Sequence, residues 1–130
     1  MTNKEWRVFL QTARRVLGKG ANVAWASESW CAWTTFTSLE NSLVYWARGL
    51  PDELELMEER TLDGGLWMQS FYYSDLAHLI IPAKFAWEKV TDIGFQQGAN
   101  HQNIVRLSGE LSAAQIPHRI TERMLEVKLY

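Results

Sequence analysis

Apolar residues recur at three- and four-residue steps through Trp6, Phe9, Leu10, Ala13, Val16 and Leu17, and the run stops at Gly18 and Gly20. That is the period of a helix face. Thr2 followed three positions later by Glu5 has the spacing of a capping box, so the pattern predicts an amphipathic helix over about residues 3 to 17. Its other face shows Arg7, Arg14 and Arg15 to water or to a partner. The next stretches, "NVAWA" and "WCAWTTFT", are rich in β-branched and aromatic residues with little polar interruption and predict two strands, the second covered on both faces.

Thr37 and Glu40 repeat the capping spacing ahead of Leu39, Leu43, Trp46 and Ala47, and Gly49 with Pro51 supplies a stop, which predicts a second helix over about 38 to 48. "PDELELMEERTLDGG" supports two readings. Its Pro-Asp-Glu opening suits a first helical turn, while Leu54 and Leu56 alternate like a strand that Asp63-Gly64-Gly65 would turn into a hairpin with "LWMQSFYY". Residues 66 to 73 and 75 to 81 read as adjacent strands, "KFAWE" continues the sheet after Pro82, and "GFQQGANHQN" reads as a glycine-punctuated loop. Ile104, Leu107, Leu111 and Ala114 mark a helix capped by Asn100 and ended before Pro117, and Leu125, Val127 and Leu129 alternate as a half-buried strand. Helices at both ends and turn-linked strands between them predict one α+β domain, an antiparallel or mixed sheet with about three helices packed on it.

Composition narrows the function classes. The chain's 130 residues are 47% hydrophobic and 22% charged, ordinary for one globular domain, but seven are tryptophan. A formal net charge of -2 argues against a nucleic-acid binder that neutralises phosphates over a broad basic face. No apolar run is long enough to cross a bilayer, no secretory signal opens the chain, and a single cysteine fits a reducing compartment, so a cytoplasmic protein is expected. Charge is nonetheless uneven. The first twenty residues carry Lys4, Arg7, Arg14, Arg15 and Lys19 against Glu5 alone, whereas 52 to 59 carry Asp52, Glu53, Glu55, Glu58 and Glu59 with no base. Such an asymmetry suits pairing within the fold or a charged partner surface.

Catalytic patterns are weak. Glu126-Val127-Lys128 with Pro51-Asp52 has the letters of a magnesium nuclease motif, but most of the chain separates the two parts, and Glu and Lys flanking a valine also describe the wet face of a strand. His78, His101 and His118 lack zinc-ligand spacing; His78 on a strand reads as a hydrogen-bonded, partly buried histidine. Cys31 between Trp30 and Ala32 reads as a small apolar filler, and neither a phosphate loop nor a nucleophile elbow is present, so no cofactor or metal is expected.

The tryptophans are the unusual asset. Trp6, Trp46 and Trp30 read as core, while Trp25 and Trp33, flanked by polar groups including Ser29 and Thr35, are candidates for an aromatic site. The run "SESWCAWTTFTSLENSLVYWARGLPDE" and the tail "IPHRITERMLEVKLY" resemble small single-domain bacterial families of unknown function, from which no residue's role carries over. The chain is also similar in kind to immunity proteins, catalytically silent cytosolic α+β domains whose acidic face blocks a toxin's basic site. The resemblance implies a non-catalytic protein-binding domain, using Asp52, Glu55 and Glu58 against a protein partner or a second copy. A small-ligand pocket walled by Trp25, Trp33, Ser29 and Thr35 is the alternative, and an enzyme with catalytic residues far apart in sequence is a third.

Overall fold

The computed structural model describes residues 1–62 and 70–130. Helix α1 (Asn3–Leu17) forms where the periodicity places it, and its capping box is intact: Thr2 Oγ1 accepts from the Glu5 amide at 3.1 Å while Glu5 accepts from the Thr2 amide at 2.9 Å. A 3-10 turn at Ala24–Ala26 follows where a strand is predicted; it packs against a later strand instead of joining a sheet. Strand β1 (Cys31–Thr35) leads into α2 (Phe36–Asn41), whose first turn is capped by the Thr35 hydroxyl accepting from the Ser38 amide.

The predicted helix over 38 to 48 is thus cut short. Residues from Trp46 to Arg48 form β2, antiparallel to β1 with Trp46 opposite Trp33, and the two indoles stack at 6.5 Å. Ring stacking across a strand pair outweighs a helical spacing whose Leu43 would have gained nothing, since Leu43 lies exposed.

Strands β3 (Arg60–Leu62) and β4 (Ser70–Tyr72) pair as the predicted hairpin, although its Asp63-Gly64-Gly65 turn and residues 66–69 lie outside the described residues. β4 does not pair with its successor β5 (Leu76–Pro82), contrary to the expectation of adjacent strands, because a 3-10 turn at Tyr73–Asp75 redirects the chain. β5 sits in the middle of a five-stranded antiparallel sheet of order β2-β1-β5-β9-β8, completed by β8 (Arg119–Ile120) and β9 (Met124–Lys128).

Pleating divides this sheet into two faces. Cys31, Trp33, Leu79, Ile81, Leu125 and Val127 point into the core with Trp6, Phe9, Leu10 and Ala13 of α1, and with Ile104, Leu107 and Leu111 of α3 (Ile104–Ala113). The opposite face carries Ala32, Thr34, His78, Ile80, Glu126 and Lys128. α3 is capped by Asn103, three residues later than predicted: Asn100 is occupied on a strand, and the Asn103 side chain accepts from the Arg106 amide.

That strand is the largest departure from the sequence reading. β6 (Lys84–Thr91) and β7 (Gly94–His101), the latter predicted as a loop, pair along their whole length as a separate two-stranded ribbon. One ribbon face turns inward, with Phe85 stacked on Trp30 at 5.9 Å and Lys89 Nζ 4.3 Å above the Trp25 ring. The ribbon is fastened at its root by buried Gln102, whose side chain accepts from the Trp30 amide at 3.0 Å and donates to the carbonyls of Trp30 and Pro82, both at 2.9 Å.

Candidate functional site

The acidic stretch is organised from within. Pro51 and Asp52 open a 3-10 turn over Glu53–Glu55, and Glu55 reaches back to accept from the Asp52 amide at 3.1 Å. Behind it stands Arg48, buried although it is the last residue of β2. Its guanidinium holds both carboxylate oxygens of Glu55, at 3.0 and 3.3 Å, and its Nε donates to the Gly49 carbonyl. Arg14 of α1 lies 3.7 Å from Asp52, and Arg7 donates to the Glu58 carbonyl. The basic helix and the acidic stretch therefore meet inside one fold, and Asp52 and Glu55 serve it structurally.

A different set of side chains points outward. Glu53, Glu58 and Glu59 are exposed, as is Met57, and Leu54 is 89% exposed. An exposed leucine in a segment that also exposes three carboxylates gives this stretch both apolar and negative character, and Glu53 borders a cleft lined by Arg14, Arg15 and Lys19. Sequence reasoning picked out Glu58 but missed Leu54, whose alternation with Leu56 reads as burial. Leu56 packs against the core instead, and bridges Thr61.

The residues of the expected aromatic pocket have separate employments. Trp25 is exposed on its 3-10 turn beneath Lys89, whereas Trp33 is buried between Trp46 and Phe71, the latter edge-on at 5.3 Å. Buried Ser29 accepts from the Leu50 amide at 3.1 Å, and Thr35 caps α2. Thr35 does reach a cleft of about 370 Å³ between α2 and β4, where its neighbours are Asn41, Trp46, Tyr72 and Asp75, but Trp25, Trp33 and Ser29 do not line it.

Cys31 is buried, and burial pushes its thiol up to about 12, so it stays protonated at neutral pH and is a filler of the core. Among the described residues no three His, Cys, Asp or Glu side chains gather to hold a metal ion, and no helix is long and apolar enough to cross a membrane. The nuclease letters are scattered: Asp52 faces Arg14, while Glu126 lies on the far sheet face beside His78. That glutamate is buried, not on a wet face as the alternation suggests, with His78 Nε2 3.7 Å and Arg119 Nη1 4.0 Å from its carboxylate.

There Tyr45, His78 and Glu126 form a small polar cluster. The Tyr45 phenol, raised to about 12 by burial first and then by its hydrogen bond with Tyr130, remains protonated and shares a 2.7 Å hydrogen bond with His78 Nδ1, while His78 Nε2 lies 3.7 Å from Glu126. Burial lowers the His78 pKa, and the nearby Glu126 charge only partly offsets it. The unfolded chain accordingly takes up this proton at a higher pH than the folded one. The stability of the neutral histidine is complete above about pH 6.5 and is lost as pH falls through the depressed folded value. Urea midpoints should therefore decline as pH falls below about 7, and a His78→Gln variant should flatten that decline. An unchanged slope in the variant would assign the decline to other groups.

Compared with known proteins, the chain matches no family model, no curated protein and no solved structure.

Proposed function

We propose that this chain is a non-catalytic protein-binding domain that takes a basic protein partner on the outward side of residues 53–59. The observation that carries the reading is Leu54, 89% exposed in a segment whose Glu53, Glu58 and Glu59 side chains are exposed as well. An apolar anchor with a charged rim is the usual anatomy of a binding hot spot, and the negative rim selects a partner rich in lysine and arginine. The Arg48–Glu55 and Arg14–Asp52 contacts hold the segment before the partner arrives, which lowers the ordering cost of binding. An immunity-type role against a toxin's basic site is one form of this chemistry, in a bacterial cytosol.

The test is capture from the source cytosol by wild-type protein and by Leu54→Asp and Glu58→Lys variants, with the captured partner sequenced and its affinity titrated. We expect a single partner of strongly basic composition, bound at least about thirtyfold more weakly by Leu54→Asp, the loss typical of a hot-spot anchor worth 2 kcal/mol. Thermal midpoints should stay put, since both side chains are solvent-exposed. Equal affinity of the variants, or an acidic partner, would overturn the reading.

Of the residues named for a small-ligand pocket only Thr35 lines the α2–β4 cleft, and a ligand reading there rests instead on Trp46, half-buried, with Asn41 and Asp75 in the same lining. Aromatic stacking beside amide and carboxylate groups suits a small polar ring, and a Trp46→Ala variant that stays folded would lose such a ligand.

A further inference from the structure

The β6–β7 ribbon has one face employed and one idle. Phe85, Trp87, Lys89 and Thr91 alternate inward on β6, and a Cβ at Gly98 would meet the Trp87 ring at 2.5 Å, so this side is closely filled. The other side presents the cross-strand pairs Lys84–His101, Ala86–Ala99, Glu88–Gln97 and Val90–Phe95, and all eight residues are exposed. At its tip Val90 is 83% and Ile93 96% exposed. An apolar tip on a two-stranded ribbon is costly to leave in water, and a ribbon without further strands is marginal by itself.

The order of side chains on this face says what covers it. Along β6 the outward residues run cation, alanine, anion, at Lys84, Ala86 and Glu88. Such a sequence is complementary to itself when reversed. A twofold axis in the plane of the face, crossing the strands at Ala86, sets Lys84 of each copy against Glu88 of the other. The small Ala86 and Ala99 side chains then let the two sheets approach, at the usual spacing of about 10 Å. The other in-plane axis, parallel to the strands, places Lys84 over His101 and Glu88 over Gln97 and matches no opposite charges. The reversed arrangement also carries each Val90–Phe95 tip four residues past the centre, about 13 Å, to the level of the other copy's Pro82.

We propose that a second copy of this chain packs on the outward ribbon face, strands antiparallel, with Lys84 and Glu88 exchanged between copies. The surface is separate from residues 53–59, so the proposal stands or falls independently of the basic partner. Two strands of eight residues cover only a few hundred Å² per copy, which places the dimer among weak, concentration-dependent associations.

Sedimentation equilibrium of the whole chain from micromolar to millimolar concentration decides it. Wild-type protein should pass from monomer to dimer. Glu88→Lys, which brings lysine against lysine at both ends, should raise the dissociation constant at least about tenfold. The double variant Lys84→Glu/Glu88→Lys should restore wild-type association. Lys84 and Glu88 lie four residues apart on one strand, about 13 Å, so within a single copy the swap exchanges no ion pair. A wild-type chain that stays monomeric throughout, a Glu88→Lys variant that associates normally, or a double variant that fails to recover would each overturn the proposal. Leu54→Asp should dimerise like wild type, which separates this surface from the one assigned to the basic partner.

Discussion

Replacing Gly49 with alanine is expected to cost about 3 kcal/mol or more, a large part of the 5–15 kcal/mol that holds a domain of this size together. A Cβ at Gly49 would lie 2.2 Å from Ser27 Oγ and 2.3 Å from the Gly20 Cα; one at Gly20 would lie 2.2 Å from the Leu50 carbonyl oxygen. Two backbones touch here with nothing between them, and the contact is sealed by the Gly49 amide donating to the Ala21 carbonyl at 2.8 Å and the Ala21 amide donating to Ser27 Oγ at 2.9 Å. The one side-chain atom here, Ser27 Oγ, is held by hydrogen bonds to Ala21 and Ser29 and the other close atoms are backbone, so the strain is taken up by the segment joining α1 to β1 and by the end of β2. The control is Gly109 in α3, where a Cβ meets nothing within 4 Å. Gly109→Ala should stabilise by about 0.5–1 kcal/mol through helix propensity. Urea denaturation of the two variants, side by side, separates a close-approach glycine from a dispensable one; a small loss at Gly49 would mean that this seam can open without unfolding the rest.

Arg48→Met is expected to have the second largest effect, about 3 kcal/mol, at the lower end for a broken buried ion pair because Glu55 keeps some access to water. The arginine is buried for its whole length and is the only group among the described residues shown to hold the Glu55 carboxylate by side-chain hydrogen bonds. Its loss strands a carboxylate that also anchors the Asp52 amide. Glu55→Gln should cost somewhat less, about 2 kcal/mol, since the amide keeps one oxygen for Arg48 and the Asp52 amide but turns an N–H toward the guanidinium and removes the buried cation's counter-charge. A double-mutant cycle on the urea midpoints gives the coupling between them, and a coupling near zero would show that burial of the arginine stem, not the pair, is what matters. Glu55→Gln, if folded, should also weaken the proposed partner through looser presentation of Leu54.

Local pattern was a good guide wherever local interactions decide. Helix α1 needs only its apolar period and its Thr2–Glu5 cap, both of which are written within one turn of the elements they control. The α+β class follows from the same reading. The pattern fails where a distant partner decides. Trp46 has a helical spacing but takes strand geometry because Trp33 stands opposite; the glycines of "GFQQGANH" look like a loop until Lys84–Thr91 supplies a register. Alternation puts Glu126 on a wet face because it says nothing of His78 and Arg119, which the fold brings beside that carboxylate. For the site, the charge asymmetry draws attention to residues 52 to 59 and to the basic face of α1, and the structure pairs part of one with part of the other. Which acids are spent internally depends on Arg48 and Arg14, whose burial and direction no window of neighbouring residues contains. Ser29 and Thr35 have the composition of a pocket wall, yet their hydroxyls serve a backbone amide and a helix cap.

The place of β9 in the sheet bears on how the chain comes to be folded during synthesis. β5 emerges with β1 already available on one side, but its other neighbour is made only after the ribbon, α3 and β8. Until then Leu79 and Ile81 lack Val127 and Leu125, and one side of β5 stands open beside them. Assembly is therefore a late, nonlocal event, slow in the manner of folds with distant strand pairings. A nascent or truncated chain lacking Met124–Lys128 would expose an apolar sheet edge, the kind of surface that chaperones shield and that seeds aggregation.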